Sequence, residues 1–253
     1  MSAAPLLLVS KSVRALLGDF RQGPLGQLVT PRMRTGLDLT EGCQLPWAAD
    51  NDCFAGFHEG RYLDMLQAIT YRSGCLFVVA PDVVADARAT LGLFDRWEPV
   101  LRCVWATVNE DDVEPGQLVH QPIAFVAQDG QERLPVPWGR FQALFVGGST
   151  RWKLGPHAAA LNREAKWRGK WVHVGRVNTL RRIAWCKALG VDSSDGSGFG
   201  NSGATVNAPI TPIGAVTAPV TVCVRLVPRF SVPVVPLGNE RAPADTAPVN
   251  VVV

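Results

Sequence analysis

The sequence predicts an α/β fold, and three observations carry that prediction. First, short apolar runs recur: PLLLVS (5–10), PWAAD (46–50), CLFVVAPD (75–82), PIAFVAQD (122–129), ALFVGGS (143–149), KWVHVGRV (170–177) and GVDSSD (190–195). Second, most of them are almost continuously apolar, as strands buried on both faces of a parallel sheet must be. Third, stretches of helical periodicity lie between them, and alternating strand and helix makes βα units. Seven such units within about 195 residues point to a compact (β/α)8 barrel of the TIM type rather than an open sheet. TVCVRLV (221–227) is the candidate for the eighth strand.

The helical stretches follow the same logic. In GRYLDMLQAITYRSG, Leu63, Leu66 and Ile69 share one face and a glycine stops the pattern, which describes an amphipathic helix. VADARATLGLFDRWEPVLRC and GPHAAALNREAKWRG repeat the pattern. The composition changes from about Gly200. Gly, Ser, Thr, Val and Ala dominate there, and proline recurs from Pro209 to Pro248. Repeated proline breaks helices and central strands alike. The expected organisation is therefore a barrel over 1–200 and an extended Pro/Val-rich tail over 201–253.

At 253 residues and 47% hydrophobic, the chain can bury a full core. Its net charge of +3 says little, but the distribution says more. Between residues 151 and 187, ten Lys and Arg side chains are opposed only by Glu164. A local basic field of this kind suits a polyanion such as nucleic acid, although a solvated helix face has the same composition. Arg151, Lys153, Arg176, Arg181 and Arg182 are the candidates for phosphate contact. The six cysteines form no C-x-x-C pair. That is neither a disulfide framework nor a metal spacing, and it suits a reducing cytoplasm. The apolar run near the start is too short for a membrane span and has no basic segment before it, so neither a membrane anchor nor a signal peptide is expected. His58, His120, His157 and His173 are isolated from one another and from cysteine, and no metal site is expected.

In a parallel barrel the C-terminal ends of all strands gather on one face, where active sites sit. Here the runs end in Asp50, Asp82, Gln128, Gly147-Gly148-Ser149, Arg176 and Asp195. Asp50 and Asp195 are the candidate catalytic pair. Two carboxylates facing one sugar are what glycosidic chemistry needs, one to attack the anomeric carbon and one to manage the proton of the leaving group. Gln128 has a donor and an acceptor for the edge of a base, and Gly147 with Gly148 would let a planar ligand approach the backbone. Asp82 and Asp86, in APDVVADA, read either as pocket residues or as the N-cap of the next helix. Asp192 reads as a strand or loop residue with a structural hydrogen bond.

The order of these segments resembles the tRNA-guanine transglycosylase superfamily over roughly residues 45–199. DNDCF after an apolar strand is similar to that family's Asp-Thr-Gly-Gly-Phe segment. PDVVAD, VAQDG and FVGGS resemble, in order, its substrate-binding Asp, Gln-Gly and Gly-Gly segments. HVGRVNTLRRIAWCKALGVDSSDG resembles its ending, with a glycine, a hydrophobic residue and two aspartates. GGSTRWKLG and RGKWVHVGRVNTLRR are closer still to the phage and bacterial DNA-acting branch, which exchanges guanine in DNA for a 7-deazaguanine such as preQ0. The resemblance implies Asp195 as the nucleophile at C1′ and Asp50 as the group that assists guanine departure. It also implies that Gln128, Gly147, Gly148 and Asp86 hold the base, with Asp82 beside them. There are departures from the tRNA-acting members. Their zinc cluster of three Cys and a His cannot be built, since only Cys223 and no His follows Asp195. Their Pro-Thr-Arg segment is replaced by GSGFGNSG. Both departures fit a DNA-acting version without a resident cofactor, working in the host cytoplasm if phage-encoded. The alternatives from other classes are a non-catalytic nucleic-acid-binding barrel and a hydrolytic or tRNA-acting N-glycosidase.

Overall fold

The computed structural model describes residues 4–10, 25–33, 45–69, 74–104 and 121–196. Within them the chain closes an eight-stranded, all-parallel barrel in sequence order: β1 (Leu6–Val9), β2 (Leu25–Val29), β3 (Trp47–Ala49), β4 (Cys75–Val79), β5 (Ile123–Ala127), β6 (Ala143–Val146), β7 (Trp171–Val174) and β8 (Ser193–Asp195). β8 returns to β1, with Leu6 opposite Ser193 and Leu8 opposite Asp195. Helix α1 (Glu59–Ile69) follows β3, α2 (Ala87–Val104) follows β4, α3 (Thr150–Lys153) and α4 (Pro156–Trp167) follow β6, and α5 (Leu180–Ala188) follows β7. The β5–β6 connection holds two short 3-10 turns instead of an α-helix. This is the (β/α)8 TIM-type architecture that the alternating pattern predicts.

Most of the strands are predominantly apolar because both of their faces are buried, whereas β8 is Ser-Ser-Asp. Leu8, Leu28, Ala48, Phe77, Val79, Ala124, Val126 and Ala143 fill the barrel interior. Val29, Trp47, Val78, Ile123, Phe125, Leu144, Val146, Val172 and Val174 face the helical layer. Burying a residue of this size contributes about 1.5–3 kcal/mol, and the two layers together drive closure. Phe94, Phe125 and Phe141 pack edge-on and stacked under α2, with centroids 5.0 and 5.5 Å apart.

One strand differs from the sequence expectation. The eighth strand is β2, and TVCVRLV (221–227) lies outside the described residues, as does the 201–253 tail. A closed ring leaves no strand edge for a ninth segment. Gly26 and Gln27 interrupt the apolar run of β2 and hide it from a hydrophobicity reading. The glycine is needed there: a Cβ at Gly26 would sit 2.6 Å from both the Leu8 side chain and the Pro46 carbonyl oxygen.

Candidate active site at the C-terminal mouth

Because every strand is parallel, the predicted polar ends do converge on one rim. A cavity of about 440 Å³ opens there, and its lining includes Asp50 after β3, Asp195 ending β8, Arg176 after β7, and Ser10, Thr30 and Arg32 from the β1 and β2 ends. Three residues other than glycine hold left-handed backbone at this rim: Asp52 (φ 60°), Ala85 (φ 62°) and Arg176 (φ 57°). Such conformations cost roughly 1 kcal/mol or more each and cluster where function needs them.

Asp50 is the most perturbed carboxyl of the mouth. Burial, then the negative charges of Asp195 and Asp82, push it up to about 7, against one hydrogen bond from the Asn51 amide to its Oδ1 at 2.9 Å. A carboxyl in that position can give and take a proton near neutrality. Asp195 is oriented differently. Its Oδ1 accepts the Arg176 amide N–H at 2.7 Å and faces His173 Nε2 at 3.3 Å. Asp82 is also pushed up by burial, opposed by donors from the Asn51 amide at 2.8 Å and the Gln128 amide at 2.5 Å. The Gln128 carbonyl accepts the Ala85 N–H at 2.9 Å. Asp82, Gln128 and Asn51 therefore form one network beside Asp50.

The two predicted glycines sit against this network. A Cβ on Gly147 would lie 2.7 Å from Gln128 Nε2, so only glycine lets the β6 end pass so close. Its own N–H donates to the Ala127 carbonyl. The Gly148 carbonyl accepts from the Arg176 guanidinium at 3.0 Å. Asp86 stands apart: it is exposed, and its Oδ1 caps α2 by accepting the Ala89 N–H at 2.9 Å. Of the two alternatives open for APDVVADA, the N-cap is Asp86, while Asp82 lies in the network beside Asp50 but not in the cavity lining itself.

The basic run divides. Arg151 and Arg181 are exposed and Arg182 is half-buried at the starts of α3 and α5, on the mouth side, with Arg176 beside them. Arg176 stacks on the exposed Phe54 ring, 4.1 Å from its centroid. Lys153 is not on this surface. It is 3% exposed, donates to the Gly175 carbonyl at 2.6 Å, and is held down to about 8 by burial and by the Arg176 charge. In this position it cannot touch a phosphate outside the barrel. Lys166, Arg168 and Lys170 lie near the other rim, each already bonded to the protein.

Some residues of the mouth were not singled out by sequence. Asn51 links Asp82, the Ala80 carbonyl and the Cys53 N–H. Arg32 pairs with Asp52 at 2.6 Å. His173 reads from sequence as an ordinary strand histidine, yet it faces Asp195. The period-2 rule was the available signal, since Trp171, His173 and Gly175 must point the same way as Ser193 and Asp195. Among the described residues no group of side chains could hold a metal ion, and no helix is long and apolar enough to cross a membrane. No family model, curated protein or solved structure matches the chain.

Proposed function

We propose that the protein is a DNA-guanine transglycosylase, exchanging guanine in DNA for a 7-deazaguanine base of the preQ0 type by double displacement. The observation that carries the reading is the pair Asp50 and Asp195 on one cavity, with Asp50 pushed up to about 7 partly by the charge of Asp195. A carboxyl pushed up toward neutrality can serve as the acid beside a second carboxyl that serves as nucleophile. Asp195 attacks C1′ while the C1′–N9 bond breaks, and the departing guanine takes its proton from Asp50. The incoming base then gives Asp50 its N9 proton and attacks C1′, and the ester bond pair returns to Asp195. Two inversions retain the configuration, and no oxidant or nucleoside triphosphate is consumed.

Asp82 and Gln128 offer hydrogen-bonding groups for the edge of a base beside the pair, once their bonds to each other are exchanged for bonds to the ligand. Arg151, Arg176, Arg181 and Arg182 surround the mouth with positive charge suited to phosphates. A duplex base cannot enter a barrel mouth while stacked, so the target is flipped out or single-stranded.

The test is a base-exchange assay with labelled guanine and DNA. Label should enter and leave DNA with the wild-type chain and do neither with Asp195→Ala. Exchange that survives Asp195→Ala refutes the assignment. Release of base without incorporation identifies a hydrolase. DNA binding with neither exchange nor release identifies a non-catalytic barrel.

A further inference from the structure

We infer that the two oxygens of Asp195 have separate jobs: two buried relays, one from Trp171 through Ser193 and His173 and one from Lys153, hold Oδ1, and Oδ2 attacks the sugar. The attack rests on the transglycosylase reading above; the relays do not.

The first relay follows from strand periodicity. Trp171 and His173 on β7 and Ser193 and Asp195 on β8 point inward, and His173 lies in register with Ser193. The indole N–H of Trp171 is a donor only, and it reaches Ser193 Oγ at 2.9 Å. Ser193 Oγ is also 2.9 Å from His173 Nδ1, and His173 Nε2 is 3.3 Å from Asp195 Oδ1. Only one proton arrangement satisfies all three contacts with an ionised Asp195 and a neutral ring. The serine hydroxyl donates to Nδ1, so the ring proton is on Nε2 and points at the carboxylate. The opposite tautomer would set a nitrogen lone pair against a carboxylate lone pair. Phe77 and Phe145 flank the imidazole, with centroids 5.2 and 4.6 Å away, and the ring is fully buried. It cannot turn away from this arrangement without losing both partners.

The second relay runs through one peptide unit. Lys153 Nζ donates to the Gly175 carbonyl at 2.6 Å, and the N–H of that same peptide, on Arg176, donates to Asp195 Oδ1 at 2.7 Å. A cationic donor on the carbonyl polarises the amide and strengthens its N–H as a donor. The left-handed backbone of Arg176 (φ 57°) accompanies this aim at the carboxylate. It is a conformation that a residue with a Cβ adopts only when its surroundings impose it.

Both relays end on Oδ1. Among the described residues Oδ2 accepts no hydrogen bond, and Asp195 lines the cavity. The Oδ2–C1′ bond forms as the C1′–N9 pair leaves with the base. In the ester Oδ1 becomes the carbonyl oxygen and keeps both donors, and the C1′–Oδ2 pair returns to Asp195 in the second displacement. One carboxylate plane thus serves both steps, which is the kind of pre-orientation that is worth large factors in rate. His173 and Lys153 touch no reacting atom and are positioning residues.

Two measurements on the full chain decide this. The first is ¹⁵N NMR of the histidines, with the His173 signals assigned through His173→Gln. Nε2 should carry the proton and Nδ1 should not, and both Ser193→Ala and Asp195→Asn should move the His173 shifts. An Nδ1–H tautomer, a charged ring, or shifts indifferent to both variants overturns the relay. The second is exchange kinetics of His173→Phe, His173→Gln and Lys153→Met. Loss of positioning lowers kcat by about 10–100-fold while KM for DNA stays within about two-fold, and His173→Gln, which retains an N–H donor, recovers part of the loss. An unchanged kcat in folded His173→Phe and Lys153→Met overturns the inference. If His173→Phe does not fold, Ser193→Ala with the NMR readout still decides. If the wild-type chain performs no exchange, the functional reading fails, while the tautomer measurement still judges the relay.

Discussion

The two rims of the barrel treat the same residue type in opposite ways. Asp192 and Asp195 are three residues apart, the first just before the short strand β8 and the second its last residue. Asp192, at the N-terminal rim, is matched: both oxygens meet Lys166 Nζ, at 2.6 and 2.7 Å, and Oδ2 also accepts the Val172 N–H at 2.7 Å. It fastens the start of β7 to the approach to β8. Asp195 shares its rim with Asp50 and Asp82, and among the described residues none of the three has a Lys or Arg salt bridge. Gathering three acids with no direct ion pair raises the proton affinity of Asp50, although Arg32 and Arg176 line the same cavity. One rim pairs its aspartate, and the other leaves its aspartates available for the chemistry proposed above.

The most severe way to break this contrast is to remove the carboxylate proposed to attack the sugar. Asp195→Asn should lower base exchange by about 10⁴-fold or more, the scale at which loss of a covalent nucleophile is felt. It should leave the folded state intact or more stable, because it also relieves Asp50 of a neighbouring charge. Labelled-guanine exchange and urea unfolding on one preparation check both halves. A large loss of stability would mean that Asp195 is structural, as Asp192 is.

Asp50 gives the pH form of the same comparison. Its folded value, about 7, lies above the unfolded value near 3.8, so the folded state binds the proton more tightly than the unfolded chain. The associated stability is complete below about pH 4 and is lost as pH rises through 7. An asparagine at this position has no such dependence. Asp50→Asn should therefore gain on the wild type by about 2–4 kcal/mol between pH 4 and pH 8. Urea unfolding at both pH values is the measurement, and a difference that does not change with pH removes the perturbation. The first displacement should weaken above about pH 7, as Asp50 loses the proton it gives to the base.

Next in size comes the matched rim. Asp192→Ala strips Lys166 of its partner and leaves the Val172 N–H without its carboxylate acceptor. A loss of about 1–3 kcal/mol is expected from an unsatisfied, partly buried donor, with base exchange per folded molecule unchanged. A fall in exchange without a fall in stability would erase the division between the rims.

These expectations also mark how far the sequence could be read. Six of the eight strands were legible because two-sided burial makes a strand apolar along nearly its whole length, as the five buried residues of β5 illustrate. β8, Ser-Ser-Asp, was legible only as the polar end of the segment that starts at Gly190 and Val191. β2 was not legible, because packing against Leu8 and Pro46 selects Gly26, which carries no hydrophobic signal. The candidate site residues Asp50, Asp82, Gln128 and Asp195 were legible as the polar ends of the strand segments. Their mutual bonds were not, since no local pattern reveals that Gln128 turns one end to Asp82 and the other to Ala85. The basic run misled in part. Adjacency in sequence reads as one patch, but a helix carries its start and its end to opposite rims, and Lys153 turns inward to Gly175.

The smallest expected effect separates the two aspartates of APDVVADA. Asp86 is exposed and caps α2 through the Ala89 N–H. Loss of an N-cap of this kind costs about 1 kcal/mol. Asp86→Ala should thus lower the midpoint of thermal unfolding modestly and leave exchange untouched. Asp82→Asn keeps the shape of its side chain but presents an amide where Asn51 and Gln128 both donate. One of those donors must then face another donor, and the Gln128 side chain that sits against Gly147 has to move. Exchange should fall through a weaker KM for the incoming base. The mispaired donor, which costs about 1–3 kcal/mol, is offset in part by relief of Asp50 from the Asp82 charge. The reverse result, exchange lost in Asp86→Ala and kept in Asp82→Asn, would assign the base to Asp86 and require the β4–α2 loop to rearrange around it.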